Sequence, residues 1–336
     1  MSQQTQKVKK EHYVPQSYLE RFAKKGKKLF VYDKYVQRIR PANIRDVAEE
    51  KYFYDIPEHL ITEEFARRGI HPQIIEKILG NIEAKFKRAI DDVLACPIDQ
   101  PLDKGLRGAM CYFLAIQLLR TRDVRNVAME MQKKFLQTLV DDLVKINFPE
   151  HTNLTPRVEL KHESLMHIKL ILDPNIVGPF ADILHNHIWL LGVNKSSKPL
   201  YTSDTPIVRH HWVEGKYLTG WDAPGIEIVF PLNPYHILIL RERTFFNEEE
   251  QYDGLKVDLN SNHVEHYNRL QVIHSHRQIY SLSDDFDLAK KVCKEKPEVC
   301  QLDSNRVEIN LSEMRRNESG ELKKDIEIIF KPRGHG

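Results

Sequence analysis

The stretch "GLRGAMCYFLAIQLLRTRDVRNVAMEMQKKFLQTLVDDLVKIN", residues 105–147, decides the fold class. Its apolar residues recur at helical spacing, so from about Lys104 to Asn147 the chain reads either as one very long helix or as two helices broken near Thr121 to Asp123. Upstream, "HPQIIEKILGNIEAKFKRAIDDVLA" places Ile74, Ile75, Ile78, Ile82, Phe86 and Ile90 close to the same period. Residues 61–184 are therefore expected to be mainly helical, with two or three long helices.

Working outward, "KKEHYVPQSYLERFA" at residues 9–23 puts Pro15 at a helix start, where its missing N–H costs nothing, and Tyr18, Leu19 and Phe22 on a core-facing stripe. Gly26 ends that pattern, and "KLFVYDKYVQRIRP" reads as a hairpin turning at Asp33 and Lys34, so residues 1–60 are a helix plus a hairpin. From about His185 the signal changes. "HIWLLGVN", "PLYTSDTP", "IEIVFPLNP" and "YHILILRER" are short apolar runs bounded by Pro, Gly, Asn or Ser, as strands are. A helix near Asn260 to Ile273 precedes the strand-like "RQIYSLS", and "RVEINL" and "IEIIFKP" close the chain. The expected architecture is α+β: a helical middle packed with a mostly antiparallel sheet from residues 185–336. No Gly/Ser/Pro linker divides the halves, so residues 1–336 read as a single domain.

A chain of 336 residues with 41% hydrophobic content can bury a substantial core. Its 50 basic and 48 acidic residues give a net charge of +2, so any phosphate binding must come from a local patch. There is no run of eighteen or more apolar residues, and "MSQQTQKVKKEH" lacks a signal-peptide core; a cytoplasmic protein with no membrane association is the expectation. Cys96, Cys111, Cys293 and Cys300 lack the paired short spacing of a zinc site. Histidines recur in local pairs: His185 with His187, His210 with His211, His263 with His266, and His274 with His276. His185 and His187 would share a strand face and His263 and His266 a helix face, so either pair could ligate a metal if a carboxylate joined it; as hydrogen-bonded surface groups they need no such partner.

Two segments carry candidate chemistry. In "AIQLLRTRDVR", Gln117 and Arg120 lie one turn apart on a helix, with Arg122 and Arg125 on neighbouring faces. Guanidinium forks match phosphate oxygens, so these residues could clamp a phosphate; the structural alternative is an ion pair with a residue such as Glu83. In "YTSDTPIV", Asp204 stands with Ser203 where a strand meets a turn, a place suited to projecting a carboxylate and also an ordinary turn sequence. No Gly-x-Ser-x-Gly elbow, Walker loop or Gly-x-Gly-x-x-Gly sequence occurs, which disfavours serine hydrolase, P-loop and Rossmann chemistry.

Taken in order, "HYVPQSYLERF", "FLAIQLLRTR", "YTSDTPIV" and "FPLNP" resemble the bacterial domain of unknown function family 4238, over about His12 to Ser281. The resemblance implies a shared fold and makes His12, Pro15, Gln16, Gln117, Arg120, Ser203, Asp204 and Pro231 family positions. Asn268 and Arg277 in "NRLQVIHSHRQIYS" look similar to the family's closing helix and strand. It implies no reaction. If these polar residues share a pocket, they suit phosphodiester chemistry: His12 for proton transfer with Gln16 beside it, Arg120 for phosphate charge with Gln117, Arg122, Ser203 and Asn268 as further ligands, and Asp204 to orient the histidine or hold a divalent ion. RNA is the expected substrate because its 2′-hydroxyl is an internal nucleophile, and bacterial defence or toxicity is the expected setting. A nuclease resembling the His-Asn-His class is weaker, since "NIRDVAEEKYFY" lacks the partner histidine. The competing class is a nucleotide or nucleic-acid binding module without turnover, in which Arg120 and Gln117 recognise the phosphate, His12 and Asp204 are only hydrogen-bonding supports, and Lys7, Lys9, Lys10, Lys24, Lys25, Lys27 and Lys28 extend the contact surface.

Overall fold

The computed structural model describes residues 10–97, 100–148, 150, 155–160, 163–213, 220–301, 307–311, 315–316, 322–323 and 326–330. Strand β1 (Lys10–His12) leads to Pro15, which stands as the N-cap of a one-turn helix, α1 (Gln16–Leu19), continued by a 3-10 turn over Glu20–Phe22. Tyr18, Leu19 and Phe22 are buried as their spacing requires. The hairpin follows as β2 (Lys28–Asp33) and β3 (Arg38–Asn43), and β4 (Glu49–Lys51) pairs antiparallel with β1, setting Glu49 opposite His12.

The helical middle is α2 (Glu63–Arg67), α3 (Ile74–Ala95), α4 (Lys104–Leu119), α5 (Arg122–Asn147), α6 (Glu163–Leu172) and α7 (Pro174–His185). Residues 104–147 thus form two helices. The break falls at Thr121, whose hydroxyl accepts a hydrogen bond from the Val124 N–H and caps α5. Helix α4 is buried almost all round between Met110 and Leu119, as a helix at the centre of a core must be.

The second half contains β5 (Ile188–Asn194), β6 (Thr202–Ser203), β7 (Val208–His211), β8 (Ile226–Asn233), β9 (His236–Arg241), β10 (Lys256–Leu259), α8 (Ser261–His274), β11 (Gln278–Ser281) and α9 (Asp287–Glu295). Beyond them β12 (Val307–Leu311) pairs with β15 (Ile326–Phe330), and β13 (Arg315–Arg316) with β14 (Leu322–Lys323). The larger sheet has the order β10-β5-β9-β8-β7, antiparallel except where β10 runs parallel to β5. A second sheet, β3-β2-β11-β6, joins the N-terminal hairpin to the later strands. His185 and His187 do not share a strand face: α7 ends at His185 and β5 begins at Ile188, because the apolar run that can pair starts only there.

The larger sheet is covered on both faces. Trp189, Leu191, Ile226, Ile228, Phe230, Leu238 and Leu240 point into the main core with α3, α4 and α7. Ile188, Leu190, Val208, Val229, Ile237 and Ile239 pack with Val264, Tyr267 and Leu270 of α8 on the other face. Strands buried on both sides read as continuous apolar runs, so a charged residue within one stands out. Glu227, between Ile226 and Ile228, is such a residue. It is fully buried.

Candidate functional site

The first motif is wired into the helical middle by its backbone. Gln117 donates from Nε2 to the Tyr13 carbonyl at 3.0 Å, and Arg120 donates from Nη2 to the His12 carbonyl. Arg120 also pairs through Nη1 with Glu83 at 2.8 Å and through Nε with the Tyr54 hydroxyl at 3.3 Å. Burial disfavours its charge, but Tyr54 and Glu83 outweigh that and raise its pKa above the ordinary arginine value. All three guanidinium nitrogens are engaged by protein. The Arg122 side chain, by contrast, is 42% exposed and meets Glu50 at 3.4 Å.

His12 is buried, and its Nδ1 lies 3.3 Å from Gln16 Nε2. Burial lowers its pKa, aided by Arg120 and opposed by the Ile44 carbonyl, Glu83 and Glu49. Next to it, about Glu11, stand carboxyls that carried no motif signal. Burial pushes Glu11 up to about 8 against the Tyr54 N–H that it accepts at 2.6 Å, with Asp55 and Glu76 adding to the rise. Glu76 is pushed up to about 7 by burial, which Arg120 opposes and Glu83 and Asp55 reinforce.

Asp204, whose charge reaches the buried Tyr13 hydroxyl, is engaged by backbone. Its carboxylate accepts the backbone N–H groups of His276, Arg277 and Gln278 at 2.7, 2.8 and 2.8 Å, holding the turn from α8 into β11. Ser203 Oγ is 2.8 Å from Gln271 Oε1, and Asn268 accepts from the Tyr201 N–H at 2.7 Å while donating to the Pro199 carbonyl at 3.0 Å. These residues sew α8 to the strand that carries β6. The motifs themselves meet at the buried Tyr18 hydroxyl, which donates to the Pro231 carbonyl at 2.7 Å and, since a carbonyl can only accept, takes its second bond from the Thr202 hydroxyl at 2.7 Å. His12, Gln16, Gln117 and Arg120 are therefore linked through the first motif, while Asp204, Ser203 and Asn268 bond across the junction of α8, β6 and β11.

A different set of residues combines titratable groups with solvent access. Strand register sets His210 opposite Glu227 and Glu227 opposite Arg241, one polar row across β7, β8 and β9 where the apolar cover of α8 ends. Arg241 Nε pairs with Glu227 Oε2 at 2.7 Å and its Nη1 bonds Glu249. From α8, His266 turns Nε2 toward Glu227 Oε1 at 3.7 Å, with its side chain 33% exposed. Burial opposes the charge of Glu227, but His266 and Arg241 hold its pKa below the usual glutamate value. His210 touches His266, ring centroids 5.2 Å apart, and burial followed by His266 lowers its pKa. Trp212 and Phe246 wall the row. Among the described residues no group of three or more His, Cys, Asp or Glu has the geometry to hold a metal ion, and no helix is long and apolar enough to cross a membrane.

Residues 10–285 match the family model described as Protein of unknown function (DUF4238). The chain belongs to this family. No curated protein and no solved structure matches it. The DUF4238 motifs "HYVPQSYLERF", "YTSDTPIV" and "FPLNP" are thereby tied to one buried junction at Tyr18, and "FLAIQLLRTR" to the strand that carries His12. The row of His210, Glu227 and Arg241 was missed because each residue comes from a different strand. Its signal was the acid inside "IEIVF" and the histidine pairs, whose members combine across elements, His210 from one pair and His266 from another.

Proposed function

We propose that the chain is a phosphodiester-acting enzyme that cleaves RNA, with His266 taking the 2′-hydroxyl proton and Glu227 positioning it. The observation that carries this reading is the pairing of a fully buried carboxylate with the inner nitrogen of a histidine whose ring remains one-third open to solvent. With Nε2–H facing Glu227, Nδ1 is the nitrogen left for substrate, and the imidazolium formed there is stabilised by the carboxylate. The 2′-oxygen bonds to phosphorus, the bond to the 5′-oxygen breaks, and the leaving oxygen takes the proton back from His266. His210, kept neutral by burial, does not compete for that charge. A substrate carrying its own nucleophile needs only this proton relay. An activity of this kind, expressed in a bacterium, would slow growth, as defence or toxicity would require.

A second reading, a nucleotide or RNA binding module without turnover, is favoured by the 3.7 Å between His266 Nε2 and Glu227 Oε1, longer than a hydrogen bond, although Gln117 and Arg120, the residues expected to hold phosphate in such a module, are engaged by protein. Labelled RNA incubated with wild type and His266→Ala, with and without a chelator and with magnesium or manganese, separates the two. Cleavage lowered about a hundredfold or more by the substitution, with binding retained, supports the enzyme. Binding with no cleavage in any condition supports the module.

A further inference from the structure

We propose that Trp212 is the platform on which an unpaired nucleobase of the substrate stacks, placing that nucleotide's ribose beside His266; this rests on the RNA reading above. Trp212 is 46% exposed, a large aromatic surface held open to solvent. It is fixed from behind. Its backbone N–H donates to the Gly225 carbonyl at 2.9 Å, extending the β7–β8 ladder by one residue. Gly225 adopts φ +88°, and a Cβ there would come within 2.8 Å of Val213 Cγ2, so a side chain at this ladder partner of Trp212 would be strained. His210 and Phe246 meet the indole edge-on, at 77° and 85° with centroids 5.2 and 6.4 Å away, and His266 lies at 5.6 Å. Arg241 lies over the Phe246 ring at 5.0 Å, bracing this wall through the same guanidinium that pairs with Glu227.

A rigid indole with part of its surface free suits a planar π-face, and every base has one. The imidazoles beside it can donate to or accept from a base edge. A cationic ligand is the poorer occupant, because His266 becomes positive during the proposed reaction, right beside the place such a ligand would take. His266 lies beside the platform, so stacking and chemistry fall on the same nucleotide.

The test uses the full chain, a single-stranded oligonucleotide of 2′-deoxy residues that cannot undergo 2′-hydroxyl attack, and the variants Trp212→Leu and Trp212→Phe. Binding should weaken about tenfold or more in Trp212→Leu and much less in Trp212→Phe, and the oligonucleotide should quench wild-type tryptophan fluorescence but not that of Trp212→Phe. Equal affinity in wild type and Trp212→Leu, no binding by wild type, or displacement of the oligonucleotide by choline would overturn the platform. Should Trp212→Leu fail to fold, the fluorescence comparison with Trp212→Phe decides alone. The two readings fail separately: Trp212-dependent binding by a protein that cleaves no RNA keeps the platform and removes the cleavage, whereas RNA cleavage with an unchanged KM in Trp212→Leu does the reverse.

Discussion

His266 Nε2 faces Glu227 Oε1 across 3.7 Å, and the other carboxylate oxygen of Glu227 is held by Arg241 at 2.7 Å. One buried acid thus stands between an arginine of the central strand β9 and a partly exposed histidine of α8. The two roles separate by mutation. Glu227→Gln should lower the rate of RNA cleavage about a hundredfold with KM little changed, and should also cost about 3 kcal/mol of stability, because Arg241 loses a buried partner. Glu249→Gln, which removes the other partner of Arg241, should cost stability without that loss of rate. Steady-state kinetics beside urea unfolding reads both quantities, and equal rate losses in the two variants would reduce Glu227 to a structural ion-pair residue.

Arg120 should behave as a structural joint. Arg120→Ala removes the partner of Glu83 and leaves the His12 carbonyl unbonded, so unfolding free energy should fall by about 3–5 kcal/mol. Arg120→Lys should recover only part of this, since a single ammonium cannot reach Glu83, His12 and Tyr54 in the fork geometry. Urea titration is the measurement. A variant as stable as wild type with weakened RNA binding would return Arg120 to the phosphate site.

Stability should peak between an acid and an alkaline limb. Glu11 and Glu76, ordinarily near 4.5, stand at about 8 and about 7 in the fold, so the stability they contribute is full below pH 4.5 and is lost as pH rises through those values. His12 and His167 are lowered, His167 to about 3, both by burial first, so their contribution is full above the ordinary 6.5 and is lost on acidification. Melting temperature followed from about pH 4 to about pH 9 should show both limbs. In Glu11→Gln the alkaline limb should flatten; an unchanged limb would mean that Glu11 is ionised in the fold.

The helices and strands were legible because their apolar periods are strong: α3, the break at Thr121 and three of the four strand-like runs, those of β5, β8 and β9 in the larger sheet, stand where spacing put them, while the fourth, "PLYTSDTP", supplies only the two residues of β6 to the second sheet. The ion pair of Arg120 with Glu83 was also legible, since both residues sit on periodic helices that had to pack. The cluster of acids at Glu11 was not. Glu11, Asp55 and Glu76 come from a strand, a loop and a helix, and only tertiary packing makes them neighbours. The row of His210, Glu227 and Arg241 depends on strand register, which single-strand patterns do not reveal.

Asp204 holds three successive N–H groups, which predicts a local effect when it is changed. Asp204→Asn puts an amide donor where an acceptor stood, so amide exchange at His276, Arg277 and Gln278 should speed up with a global loss of about 1–3 kcal/mol. Cleavage rate in the protein that remains folded should stay near wild type. Unchanged exchange with abolished cleavage would place Asp204 in the chemistry.

The most direct measurement is cleavage of one single-stranded RNA by wild type, with the ends of the products identified and the experiment repeated after a single 2′-deoxy substitution at the main cleavage site. Attack by the 2′-oxygen predicts a 2′,3′-cyclic phosphate, loss of cleavage at the substituted position alone, and a rate lowered about a hundredfold or more in His266→Ala. Cleavage that ignores the missing hydroxyl, or that proceeds unchanged in His266→Ala, would contradict the account.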